Sequence, residues 1–142
     1  MTLAELNLAF EWFNSQLFYD KLPTPQIVLE RLRPGRMAQT VSEPYPNPTR
    51  FQISFDPKHF PQASSEEICS WIVHEMTHQW RAIQPPLVVC HHDELWCTKM
   101  KEFGLEPARP GKDECWDRIV ANGRFARAAA HWLKNNSRAS CA

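Results

Sequence analysis

The stretch SWIVHEMTHQWRA, Ser70 to Ala82, sets His74, Glu75 and His78 in the spacing H-E-x-x-H. On a helix, residues four apart stand one turn above each other, so both imidazoles can reach a single ion. With about 100° per residue and His74 at zero, His78 falls near 40°. Ile68, Cys69, Ile72, Met76, Trp80 and Ile83 then gather around roughly 120–240°, on the far side of the helix. A histidine that merely fills a core belongs on the apolar stripe, and these two lie off it. Glu75, about 100° round from His74, is poorly placed to share the ligand plane. It is well placed to reach a water beside the ion.

Zinc hydrolysis asks for this arrangement. Two neutral imidazoles hold Zn²⁺, the ion lowers the pKa of its water, and a nearby carboxylate takes the proton. A catalytic site also needs a third protein ligand that leaves the fourth position open. The metzincin pattern would place Gly at position 81 and His at position 84, where this chain has Arg81 and Gln84. Three downstream candidates remain: His91, His92 and Glu94. His92 lies four residues before Trp96 and eight before Met100, so it extends the buried face of the next helix, whereas His91 points off that face. His92 is the favoured ligand on this reading. Cys90 and Cys97 flank it and could instead close a structural zinc site.

Outward from the motif, Ser64 or Ser65 with Glu66 and Glu67 starts the motif helix, and the residues QPP, 84–86, stop it. Thr2 and Glu5 form a capping box ahead of Leu3, Leu6, Phe10, Phe13 and Leu17, which repeat at helical spacing. KLPTP (21–25) ends that helix. QIVLERL (26–32) and MAQTVS (37–42) read as strands. In RFQISF (50–55), Phe51, Ile53 and Phe55 alternate with Gln52 and Ser54, as a half-buried strand requires. PYPNP (44–48) supplies a hairpin or meander turn, and DPKHFPQAS (56–64) reads as loop. Asp93 and Glu94 open a further helix whose Trp96, Met100 and Phe103 share a face before Gly104 ends it. Residues 112–135 predict one or two helices, most clearly RFARAAAHWLK (124–134). The expected fold is α+β: an N-terminal helix, a small mostly antiparallel sheet, the motif helix and further C-terminal helices.

The totals agree with a single domain of 142 residues, 43% hydrophobic and 23% charged. Net charge is zero but unevenly spread. Residues 1–98 hold seven Lys/Arg against eleven Asp/Glu, and residues 99–142 hold nine against five. Arg118, Arg124, Arg127, Lys134 and Arg138 make the tail basic, and Trp132 could stack on bases, although a solvated helix face accounts for the same charges. No run approaches the roughly 18 apolar residues of a membrane span, and the N-terminus lacks the basic start of a signal peptide. Five widely spaced cysteines with no C-x-x-C pair suggest reduced thiols in a cytoplasmic protein. His59 and His131 have no partner at ligand spacing. Trp71, near 60° on the wheel, could line a cleft or pack in the core.

HEMTHQW (74–80) followed by HDELWCTKMKEFGLEP (92–107) resembles the SprT-like, Spartan-type zinc metallopeptidases, whose pattern is H-E-M-x-H and then a lone His opening a helix. LNLAFEWFNSQLFYDKLPTPQIVL (6–29) is similar to that family's opening helix and first strand. The resemblance covers about residues 5–107. It implies a zincin-like peptidase core over residues 1–111, with His74, His78 and His92 as Zn²⁺ ligands and Glu75 catalytic, and it leaves 112–142 as a basic helical tail packed on the core. It further implies proteolysis of DNA-associated or DNA-crosslinked proteins, and the charge split with the arginines from Arg118 to Arg138 offers the basic tail as the DNA contact. The alternative is a non-catalytic zinc-stabilised module that binds DNA or protein.

Overall fold

The computed structural model describes residues 1–43, 48–86, 92–107 and 117–136. The PYPNP turn except Pro48, His91, Cys90, Trp116 and Arg138 lie outside them. The chain is α+β in the order α1 (Leu3–Phe18), β1 (Gln26–Leu29), β2 (Ala38–Glu43), β3 (Arg50–Phe55), α2 (Ser65–Ala82), α3 (Glu94–Phe103), β4 (Leu105–Pro107), β5 (Asp117–Ile119) and α4 (Arg124–Asn136). Among the described residues no helix is long and apolar enough to cross a membrane.

Local chemistry fixes the helix ends. The Thr2 and Glu5 capping box is formed, the Glu5 carboxylate accepting from the Thr2 amide at 2.6 Å. Ser64 and Glu67 do the same for α2, with Glu67 Oε2 accepting from the Ser64 amide at 2.6 Å. Each box satisfies donors that a helix start otherwise leaves bare. Asp93 caps α3 by accepting from the Trp96 amide. Gly104 ends α3 at φ +79°, and a Cβ there would sit 3.1 Å from the Gly123 Cα. Glycine is therefore required twice over, for the left-handed turn and for the close approach.

The sheet order is β1-β3-β2, with β1 parallel and β2 antiparallel to β3. As the central strand, β3 is shielded on both faces toward its end: Ser54 is buried as completely as Ile53 and Phe55. Alternation alone suggested one wet face. The Ser54 hydroxyl instead donates to Glu30 at 2.5 Å, so its polarity is satisfied by a side chain rather than by bulk water.

Residues 57–62 depart from the expected loop and form a short 3₁₀ helix. Asp56 caps it, and Pro57 suits the first position, where no amide donor is needed. The tail departs further. Asp117–Ile119 pair antiparallel with Leu105–Pro107, a two-strand ribbon too short to leave a period in the sequence. Phe125, Ala129 and Trp132 of α4 are buried in the same core as Phe13, Ile72 and Phe103. Trp132 is thus core and not a platform for bases, because Phe125, Ala129 and Trp132 follow one another at four- and three-residue steps on one buried stripe.

A candidate metal centre

Helix α2 runs through the middle of the molecule, packed against α1, β2, α3 and α4. The apolar side predicted for it is buried through Ile68, Cys69, Ile72 and Met76, while Ile83 sits at the exposed C-cap. The opposite side is covered as well. His74 and Glu75 are each only 2% exposed, and His78 is half-buried. Helix spacing brings the first two imidazoles together, and the turn before α3 brings the third. His92 stands one residue ahead of the Asp93 cap rather than inside the helix.

The three Nε2 atoms form a small triangle, with 3.2 Å between His78 and His74, 3.3 Å between His92 and His74, and 3.1 Å between His92 and His78. Nitrogens bound tetrahedrally to one zinc at about 2.0–2.1 Å stand about 3.3–3.4 Å apart. The donor set therefore fits a small divalent ion. His74, His78 and His92 lie close enough to bind a metal ion. Of the competing ligands, Glu94 is exposed in the first turn of α3, and the Cys97 thiol lies 3.7 Å from the His92 carbonyl oxygen. Neither joins the described cluster.

Residues beyond the motif shape this centre. The Trp96 ring packs beneath all three imidazoles, its centroid 4.2 Å from that of His92, 4.8 Å from His74 and 5.0 Å from His78. It is fully buried, so it closes the site from below. The Thr40 hydroxyl on β2 donates to Oε2 of Glu75, the residue that follows His74, at 2.6 Å. Asp117 Oδ2 lies 2.8 Å from His74 Nδ1, both side chains almost wholly buried. Arg81, 4% exposed, ties the end of α2 to Asp93, the residue after His92. Its Nε donates to Asp93 Oδ2 at 2.8 Å, and its two terminal nitrogens donate to the carbonyls of Gln84 and Pro86 at 2.9 Å each. Hydrogen bonding from Arg81 holds the Asp93 carboxyl below its ordinary pKa, with the Trp96 amide and the Arg81 charge adding to it against the effect of burial.

Sequence reasoning used Arg81 only to exclude a ligand pattern and saw Trp96 only as core. It missed Thr40 and Asp117, which lie 35 and 43 residues from their partners. A lone Thr in a strand and an Asp in a three-residue strand carry no local signal of such contacts. Trp71 resolves toward packing: it is 6% exposed and stacks on Phe60 of the 3₁₀ helix. His131 stacks on Trp12, centroids 5.0 Å apart. In the tail, Arg118 pairs with Glu106, and Arg124 pairs with Glu102 and reaches the Tyr19 hydroxyl. Comparisons with protein-family models, curated proteins and solved structures find no significant match.

Proposed function

We propose that this chain is a zinc-dependent endopeptidase of the SprT-like type, acting on DNA-associated or DNA-crosslinked proteins. The observation that carries the proposal is the triangle of three Nε2 atoms, no side more than 3.3 Å, two of them on the helix that also carries the buried Glu75. His74, His78 and His92 would hold the ion. When bound, zinc supplies a Lewis acid that makes water nucleophilic near neutral pH and polarises a carbonyl.

The protein's own groups do the rest. Glu75 accepts the proton of the attacking water as general base and passes it to the departing amine nitrogen. The Thr40 hydroxyl, donating to Oε2, stabilises the ionised carboxylate, which is the form able to accept that proton. Burial of Glu75 among packed elements strengthens these interactions beyond what they would be in water. Trp96 excludes solvent behind the imidazoles. The substrate class rests on the motif resemblance and on the basic tail, whose unequal charge favours a polyanion nearby.

The test is cleavage of unfolded and DNA-binding proteins by the zinc-loaded chain, with and without single-stranded DNA. The expected result is cleavage that stops on chelation, returns with zinc, and rises with DNA. Reversing the charge of Arg124 and Arg127 should reduce the DNA effect and make binding less sensitive to salt. A metal-loaded protein that cleaves none of these substrates would favour the non-catalytic module.

A further inference from the structure

We infer that Asp117 is a positioning residue that commits His74 to bind metal through Nε2, so that metal occupancy depends on the β5 segment, far along the chain from the motif. A neutral imidazole has one proton for two nitrogens, and its metal-binding nitrogen must be the bare one. A carboxylate can only accept. With Asp117 Oδ2 at 2.8 Å from Nδ1, the proton resides on Nδ1 and the lone pair on Nε2. Nε2 is the atom that faces His78 at 3.2 Å and His92 at 3.3 Å. The carboxylate also raises the basicity of the ring and fixes its plane, as outer partners of metal-bound histidines do. Side-chain exposures of 2% for His74 and 1% for Asp117 leave little water to compete for the contact.

The backbone that places Asp117 is anchored to the helix that follows the third ligand. Pro107 pairs with Asp117 and Leu105 with Ile119, and the Val120 amide donates to the Gly104 carbonyl at 2.9 Å. The close approach of Gly104 and Gly123 lets that junction form. Helix α3 therefore has His92 before its first turn and the seat of Asp117 after its last. One rigid element couples a direct ligand to the outer partner of another.

This inference rests on the three-histidine cluster and not on peptidase activity. Its test is competitive titration of the full-length chain with Zn²⁺ and Co²⁺ against a chromophoric chelator, comparing wild type with Asp117→Asn. Asparagine keeps the shape and an acceptor oxygen but removes the charge. The expected result is a tenfold to hundredfold loss of affinity, with the metal-free melting temperature little changed and an altered Co²⁺ spectrum. A purely structural role would lower the metal-free melting temperature and leave the affinity of the folded protein intact. Affinity within about twofold of wild type would overturn the inference, as would a wild type that binds neither metal. Should the variant not fold, the imidazole nitrogen spectrum of metal-free wild type decides instead. His74 protonated at Nδ1 supports the inference, and His74 protonated at Nε2 sinks it.

Discussion

Half-buried Thr40 and buried Asp56 show how single polar groups are held by specific partners in this protein. Thr40 touches Glu75 twice, at the carboxylate and at the backbone oxygen. Thr40→Val keeps the shape and removes the donor, so under the proposed function turnover should fall about tenfold, the loss of one hydrogen bond to a charged group. Metal content should stay at wild-type level, and Thr40→Ser should restore turnover. Equal kcat in the valine variant would remove Thr40 from the account. Asp56 is 2% exposed. Burial pushes its carboxyl up, but the Leu32 and Lys58 amides and the Lys58 charge outweigh this and hold it below its usual value of 3.8. A depressed folded pKa stabilises above the unfolded value and loses that contribution as pH falls through the folded value. Asp56→Asn should therefore be less stable than wild type at pH 7, with the gap closing below about pH 4. Denaturation curves across that range check it, and a gap independent of pH would contradict it. At this scale the sequence exposed His74, Glu75 and His78 because one helical turn joins them. It hid Thr40 and Asp117 because tertiary folding alone brings them to the site.

Elements were legible in proportion to their length and their caps. The two capping boxes, the Asp93 cap and the Gly104 stop all mark helices of ten residues or more. Central β3 was recognised, but a one-dimensional pattern cannot say that a strand has neighbours on both sides, so the burial of Ser54 was not foreseen. The β4–β5 ribbon was invisible because its three-residue strands are held by pairing to one another and by the Gly104–Gly123 contact. The tie between the end of α2 and the cap of α3 was equally unreadable, since it is made by the Arg81 side chain reaching Gln84, Pro86 and Asp93. Breaking a buried pair by removing one partner typically costs about 3–5 kcal/mol. Arg81→Ala should lower unfolding free energy by about that amount and weaken metal binding, because His92 adjoins the Asp93 that Arg81 holds. Chemical denaturation with parallel metal titration measures both. Unchanged metal affinity in a destabilised but folded variant would show that His92 is positioned by other contacts.

Over the whole molecule, residues on either side of position 111 share one core. Phe125 stacks on Phe13 at 5.7 Å, and the Trp12 indole donates to the Ala128 carbonyl at 2.9 Å. A chain ending at Pro107 should therefore fail to fold rather than merely bind DNA less well, as circular dichroism would show. A folded, metal-binding truncation would contradict that picture. The three-imidazole cluster and the buried Glu75 on the helix of His74 and His78 support the central proposal, a protein-held metal site for hydrolysis. The most direct measurement compares zinc-loaded wild type with Glu75→Gln, following zinc content and substrate cleavage in the same preparations. An amide cannot accept the attacking water's proton. The variant should keep about one zinc per chain, as a three-histidine site allows, and lose cleavage by at least about a hundredfold. Undiminished cleavage by a zinc-replete Glu75→Gln protein would contradict the account.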